Sequence, residues 1–519
     1  MRKIRILWTD DEIEILQPHI IFLQEKGYDV ETCTNGNDTI DLVGVNNYDI
    51  IFLDEHMPGM SGIDTLKLIK QIRPTVPVIM ITKSEEENIM EDAIGSQIAD
   101  YLIKPVKPNQ ILLCLKKNTD SQRLVTEKTT SDYQSDFGKI RQMISEADNW
   151  VKWIEIYKKL VYWDIQLDKA SDINLREIFL MQEQEANNEF SKFVSSNYLS
   201  WLGKDSGNPL TSPLLMKEKV FPHLGKKDKL FFILIDNLRY DQWKIISEEL
   251  TSMYRILEDS VYFSILPSAT QYARNSVFSG LLPLDIQKQY PELWVYDDDE
   301  EGKNQHESEL LEKQLARLSL DIKWKYHKIS SNAAGKKINE TLPALLGMDL
   351  TVLVYNFVDL ISHARTEIDI IRDLANDEPA YRTLTHSWFI HSPLYELLKL
   401  LSGERVKIII STDHGTVKVT NPIKVIGDRS TSPNLRYKLG RNLDYRTADV
   451  FELIDPNRAG LPKSNISSRY IFARNYDFLV YPNNYNHYAK YYRNTFQHGG
   501  ISMQELLIPV VTLEPKEME

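Results

Sequence analysis

The chain has 519 residues and a net charge of −13, with 61 Lys and Arg against 74 Asp and Glu. Its 42% hydrophobic and 26% charged residues are ordinary for a globular protein, and the length predicts two to four domains. The acidic balance argues against duplex DNA as a partner; two cysteines, Cys33 and Cys114, rule out a disulfide framework or a cysteine-based zinc site; and with no signal peptide or long apolar run, the expectation is a cytoplasmic protein with no membrane span.

Residues 1–118 alternate apolar runs with amphipathic stretches. "KIRILWT", "DVETCT", "DIIFLD", "PVIMIT" and "DYLIKP" are the predicted strands. Five strands interleaved with helices predict a doubly wound, flavodoxin-like parallel sheet. Such a sheet collects functional groups at the carboxyl ends of its strands. Asp10 and Asp11 follow the first predicted strand, Asp54 ends the third, Thr82 the fourth and Lys104 the fifth. Clustered carboxylates suit Mg²⁺, which prefers octahedral oxygen coordination, while a lysine and a hydroxyl beside them suit a phosphoryl group.

On "TDDE", "DIIFLDEHMPGMSG", "VIMITKS" and "DYLIKPV", this region resembles the response-regulator receiver family along its whole length. The resemblance implies that Asp54 is the phosphoacceptor, with Asp10, Asp11 and Asp54 around Mg²⁺. It further implies that Thr82 and Lys104 read the phosphoryl group, that Tyr101 is the switch aromatic, and that a sensor histidine kinase is the partner. Lys83 departs from the family, which generally places a small residue there; a surface lysine without a role is the plainer reading.

Residues 119–204 read as a helical-bundle linker. Trp150, Trp153, Ile154, Tyr157, Leu160 and Val161 follow helical spacing, and Ile178, Phe179, Phe190, Phe193 and Val194 form a second stripe. Trp150, Trp153 and Trp163 are expected in the core. "GKDSGNPLTSP" breaks the pattern, and a second α/β region, 205–519, follows with strands such as "KLFFILID", "LTVLVYNF" and "VKIIIST". No basic recognition helix is legible.

Four patches in this region put metal-capable side chains at the ends of apolar runs: Asp236, Asp359 with His363, Asp413 with His414, and His498. Zn²⁺ accepts imidazole nitrogen and carboxylate oxygen, and these six ligands serve two ions if Thr270, in "LPSATQYARNSVFSG", adds an oxygen. Two such ions suit in-line phosphoryl transfer. Each patch alone also reads as a helix cap or a turn.

Together their order and spacing resemble the alkaline phosphatase superfamily, most closely its PglZ branch, from about residue 210 onward. The resemblance implies Asp236, Asp413 and His414 on one zinc, Asp359, His363 and His498 on the other, and Thr270 as nucleophile. A threonine nucleophile favours a phosphodiester over a monoester. Arg274, four residues after Thr270, is a candidate phosphate contact, or equally a helix-surface charge. Between 424 and 446, six Lys or Arg stand against two Asp, with Tyr437 and Tyr445 interleaved. Arg436 and Lys438 there are candidate contacts to a nucleotide or short oligonucleotide, at even odds with a solvated loop.

A receiver joined to such a domain through helices resembles the response regulators of type IX secretion and gliding systems. The resemblance implies a zinc-dependent phosphodiesterase controlled through Asp54, with phosphorylation-dependent homodimerisation. The alternative is a non-catalytic scaffold that binds a sigma factor or secretion component after Asp54 phosphorylation.

Overall fold

The structure, a computed structural model, describes residues 3–74, 76–83, 98–119, 121–170, 173–203, 207–225, 228–295, 305–359, 377–428, 431–463, 465 and 467–516. The chain divides into two compact units: Met1–Asp132 with Lys169–Ser171, and Tyr133–Asp168 with Asp172–Glu519.

The first unit contains five parallel strands, β1 (Arg5–Thr9), β2 (Asp29–Cys33), β3 (Ile50–Asp54), β4 (Val78–Thr82) and β5 (Asp100–Ile103), in the order β2-β1-β3-β4-β5. Alternate residues feed opposite layers, as strand periodicity requires. Ile6, Trp8, Phe52, Ile79 and Ile81 enter one core cluster, and Leu7, Ile51, Leu53, Val78 and Met80 the other. Both faces of the sheet are thus buried, which explains why β3 and β4 read as continuous apolar runs. Two helix starts are capped locally: Asn35 accepts from the Asp38 amide and Ser61 from the Asp64 amide.

The second unit is built on β6 (Lys229–Ile235), β7 (Tyr254–Phe263), β8 (Trp324–Ile329), β9 (Leu350–Tyr355) and β10 (Val406–Ser411), closed by β18 (Leu507–Pro515). The order is β7-β18-β10-β6-β9-β8. Strands β10, β6, β9 and β8 run parallel, whereas β18 pairs antiparallel with β10 and β7. Seven short strands of the described residues lie between β10 and β18: the ribbon of β11 (Val417–Lys418) with β17 (Phe496–Gln497), the pair β12 (Asn421–Lys424) and β16 (Asp477–Val480), and the sheet of β13 (Tyr437–Gly440), β14 (Val450–Leu453) and β15 (Arg469–Ala473).

The linker forms helices over Ser121–Ser145, Trp150–Ala170 and Ile173–Trp201. Trp153, Tyr157, Leu160, Phe190 and Val194 share one continuous core with Phe231, Phe263 and the sheet interior. Trp163 is buried and Trp150 partly so. Ile178 departs from the expected stripe: at 40% exposure it lies outside the core while the adjacent Phe179 is fully buried.

Candidate active site

In the receiver the expected groups converge. Lys104 Nζ lies 2.8 Å from Asp10 Oδ2 and 2.7 Å from Asp54 Oδ1. Asp10, Asp11 and Asp54 offer oxygens within 4.8 Å of one another, an all-oxygen set of the kind Mg²⁺ takes. Burial pushes the Asp54 carboxyl above its ordinary range, against the opposing pull of Lys104. Gly62 packs against this strand end so closely that a Cβ would sit 2.2 Å from the Asp54 carbonyl oxygen. The Thr82 hydroxyl donates to Glu55, a buried partner the sequence reading passed over. Lys83 is largely exposed and points to Glu12 at 3.4 Å, away from crowding Asp54. Tyr101 is 38% exposed.

In the second unit, three neighbouring parallel strands deliver the metal-capable side chains. Asp236 follows β6, Asp359 lies beyond β9, and Asp413 and His414 follow β10. Asp236, Asp413 and His414 are buried and present ligand atoms within 4.8 Å of one another. His414 Nε2 is 3.8 Å from both Asp236 Oδ1 and Asp413 Oδ2. The Nδ1 of His414 donates to the Gly415 carbonyl at 3.1 Å, which leaves the Nε2 lone pair facing the carboxylates. Gly415 is required here: a Cβ would meet the Gln504 carbonyl oxygen at 2.0 Å.

Thr270 opens the helix Thr270–Ser279, with its Oγ1 3.0 Å from His414 Nε2. Its position at a helix N-terminus suits an anionic group. The His498 ring stacks on His414 at 4.2 Å between centroids. Asp359 accepts from Asn237 Nδ2 at 3.3 Å, and Asn237, directly after Asp236, adopts the left-handed φ of 63° that asparagine tolerates. His363 lies outside the described residues.

The cluster fits a cation. Asp236 Oδ1 is buried with no hydrogen-bond partner among the described residues, and burial pushes the Asp236 carboxyl well up. Burial acts upward on Asp413 too, but Arg274 and His414 more than offset it. Two carboxylates and an imidazole are a donor set zinc accepts.

The candidate substrate contacts need correction. Arg274 is wholly buried, so it is neither a helix-surface charge nor open to a ligand. Its guanidinium binds Asp236, reaches Asp413 at 3.0 Å and touches Glu307 at 3.2 Å. It therefore fixes the orientation of two candidate metal ligands. Arg436 is also fully buried, paired with Glu505 at 2.6 Å. The same carboxylate accepts from the Gly500 amide at 2.9 Å, so the pair braces the loop after His498. Lys438 is buried over the Tyr481 ring and donates to the Pro433 carbonyl, and burial lowers its amine to about 7. The apolar flanks of these cations were the missed signal: "LRYKLG" alternates as a strand, and its sheet buries both.

Residues 215–513 match the BREX system PglZ alkaline phosphatase-like domain, more than half of the chain. The chain belongs to the PglZ alkaline phosphatase-like family. Residues 6–116 match the response regulator receiver domain and 123–202 the PorX response regulator linker domain, so the PglZ domain here is the effector of a PorX-like response regulator. Among curated relatives, the transcriptional regulatory protein ResD of Bacillus subtilis (strain 168) is 33% identical over 112 residues, 22% of this chain and 46% of ResD. ZraR of Klebsiella oxytoca is 30% identical over 138 residues, 27% of this chain and 31% of ZraR. The chain spans less than half the length of these two relatives. The chemotaxis protein CheY4 of Vibrio cholerae is similar at 26% identity with a TM-score of 0.22, over 22% of this chain and 99% of CheY4. No helix among the described residues is long and apolar enough to cross a membrane.

Proposed function

We propose that the PglZ domain is a zinc-dependent phosphodiesterase acting on nucleotide-type diesters, and that the receiver regulates it after a sensor histidine kinase phosphorylates Asp54. The observation that carries this reading is the Thr270 hydroxyl, 3.0 Å from His414 Nε2 at a helix N-terminus and beside buried Asp236 and Asp413. A purely structural metal site has no use for a hydroxyl so placed.

Asp236, Asp413 and His414 would hold one zinc; Asp359, His363 and His498 are the proposed ligands of a second. The bound metals would supply charge stabilisation for a phosphoryl oxygen and for the ionised threonine. Thr270 Oγ1, its proton lost to water, attacks phosphorus; the bond from phosphorus to the leaving ester oxygen breaks, and that oxygen takes a proton from water. The positive end of the helix opened by Thr270 would favour the developing negative charge. Water then cleaves the threonine phosphoester and restores the hydroxyl. Arg274 holds the two carboxylates in position throughout and touches no substrate. In the receiver, Mg²⁺ on Asp10, Asp11 and Asp54 would support phosphoryl transfer, and phosphorylation would promote homodimerisation. The biological role we assign is regulation of type IX secretion and gliding.

The test uses the full chain. Bound metal is measured first, and hydrolysis of bis-p-nitrophenyl phosphate is then compared with that of p-nitrophenyl phosphate, with and without acetyl phosphate. Zinc binding and a preference for the diester are expected. Thr270→Ala should lower diester turnover by about 10³-fold or more while metal content stays unchanged. Turnover that survives Thr270→Ala removes the nucleophile, and a protein that takes up no zinc removes the mechanism. If signalling survives Thr270→Ala but not loss of His414, the scaffold role replaces the enzyme.

A further inference from the structure

The segment from Phe478 to Gln504, which includes His498, contains no Asp or Glu, although acids make up 74 of the 519 residues. At that average density about four would be expected. The segment instead carries Tyr481, Tyr485, Tyr488, Tyr491 and Tyr492 with Lys490 and Arg493. Its centre is the helix Tyr485–Tyr492. One face is anchored: Ala489 is buried, and Tyr485 and Tyr492 pack against the cluster of Val417, Val419, Phe478 and Val480.

The flank beside that face leaves three aromatic rings partly in solvent. Tyr488 and Tyr491 are 39% and 38% exposed, and His487 is exposed with them. His487 lies nearly parallel to Tyr491, with centroids 6.1 Å apart, and Tyr488 nearly parallel to Tyr492 at the same separation. Helical i, i+4 spacing lines the rings up in this way. A folded chain gains nothing by leaving aromatic area in water, and Lys490 and Arg493 make the surroundings positive in an acidic protein.

The helix is continuous with the metal cluster. It leads through Asn494 and Thr495 into β17, which pairs with β11. At one end of that ribbon the His414 and His498 rings are stacked; at the other, Asn494 donates to Val419 and Val419 to Thr495. Only three residues, two of them in β17, separate Asn494 from His498, so the helix and the candidate ligand are neighbours along the chain.

We propose that Tyr488 and Tyr491, with Arg493 beside them, form a base-stacking platform for single-stranded nucleic acid, giving the diesterase a second hold on longer substrates. Aromatic faces interleaved with cations bind single strands with little sequence preference, because every base offers a π-face. The proposal rests on the phosphodiesterase reading for its catalytic consequence but not for binding itself.

The test measures binding of a fluorescent oligothymidylate of roughly ten nucleotides to the full chain carrying Thr270→Ala, and hydrolysis of bis-p-nitrophenyl phosphate by the chain with native Thr270. Tyr488→Leu with Tyr491→Leu should weaken oligothymidylate binding by about 10-fold or more, while the paired Phe variants retain it, since stacking needs the ring and not the hydroxyl. Small-diester turnover should be unchanged in both. Unaltered affinity in the Leu pair, or no oligothymidylate binding before mutation, overturns the platform and leaves a protein partner as the occupant. Loss of affinity in the Leu pair supports it even if no variant hydrolyses the small diester, an outcome that would count against the enzyme alone.

Discussion

At the scale of single residues, Arg274 joins sequence to chemistry most directly. A buried guanidinium touching Asp236, Asp413 and Glu307 sets one cation among three interior carboxylates, and Lys328 adds a second cation on Glu307 at 3.0 Å. The guanidinium holds Asp236 through Oδ2, leaving Oδ1 toward His414, and holds Asp413 through the same Oδ2 that lies 3.8 Å from His414 Nε2. Outer partners of this kind commonly contribute 10–100-fold in metal affinity. Arg274→Lys should fold, because a cation remains, but bind zinc roughly 10-fold or more weakly, measured by competition with a chelating dye. Unchanged affinity would mean that the carboxylates are oriented by other contacts. His414 follows the same logic with a different partner, since the Gly415 carbonyl fixes which nitrogen faces the cluster.

At the scale of elements, three parallel strands ending side by side account for most of the site. Their carboxyl ends collect Asp236, Asp359 and the Asp413–His414 pair, and the N-terminus of a separate helix brings in Thr270. The turn after β10 has no room to relax, because Gly415 runs against the backbone at Gln504 and its amide donates to Glu505. Gly415→Ala should therefore cost about 1–3 kcal/mol through overpacking against backbone that cannot move aside. Thermal melting would register this as a lower midpoint, accompanied by weaker metal retention. A melting curve identical to the native one would show that the turn can yield.

At the scale of the whole second unit, a buried charge network joins the linker helices to the effector. Arg382 binds Asp164 and Asp168 of the helix Trp150–Ala170 and lies 3.1 Å from Asp241; Arg239 binds both Asp241 and Glu378. Burial pushes Asp241 upward, yet the two arginines hold it down to about 2. Because the folded value lies below the unfolded value of about 3.9, its contribution is present above about pH 4 and fades as the pH falls toward 2. Arg382→Met takes one cation from three carboxylates, leaving Arg239 on Asp241 and Arg176 on Asp164 and Asp168, and should cost about 1–3 kcal/mol, with acid unfolding moved to higher pH as followed by circular dichroism. No change would mean that the network contributes to specificity rather than stability. Such coupling gives the linker a physical connection to the helix Glu378–Ile390 of the effector.

Much of this architecture was legible in the sequence by itself. The receiver's five strands and the core strands β6, β9 and β10 are local hydrophobic patterns, and period and length alone distinguish them from helices. Asp10, Asp54 and Lys104, like Asp236, Asp413 and His414, fall at strand ends, so topology alone places each set in one crevice. What the tertiary structure decided were the partners of the cations. Arg274, Arg436 and Lys438 read as substrate contacts in one dimension because charge in a sequence suggests solvent; folding buries all three against Asp236, Asp413, Glu505 and the Tyr481 ring. The aromatic face at Tyr488 and Tyr491 reverses the case, since tyrosines at helical spacing look like core until the fold leaves them exposed. Strand and helix follow from neighbours within a few residues, whereas the environment of a charge or a ring depends on groups brought in from far along the chain, as Asp413 and Glu505 are to Arg274 and Arg436.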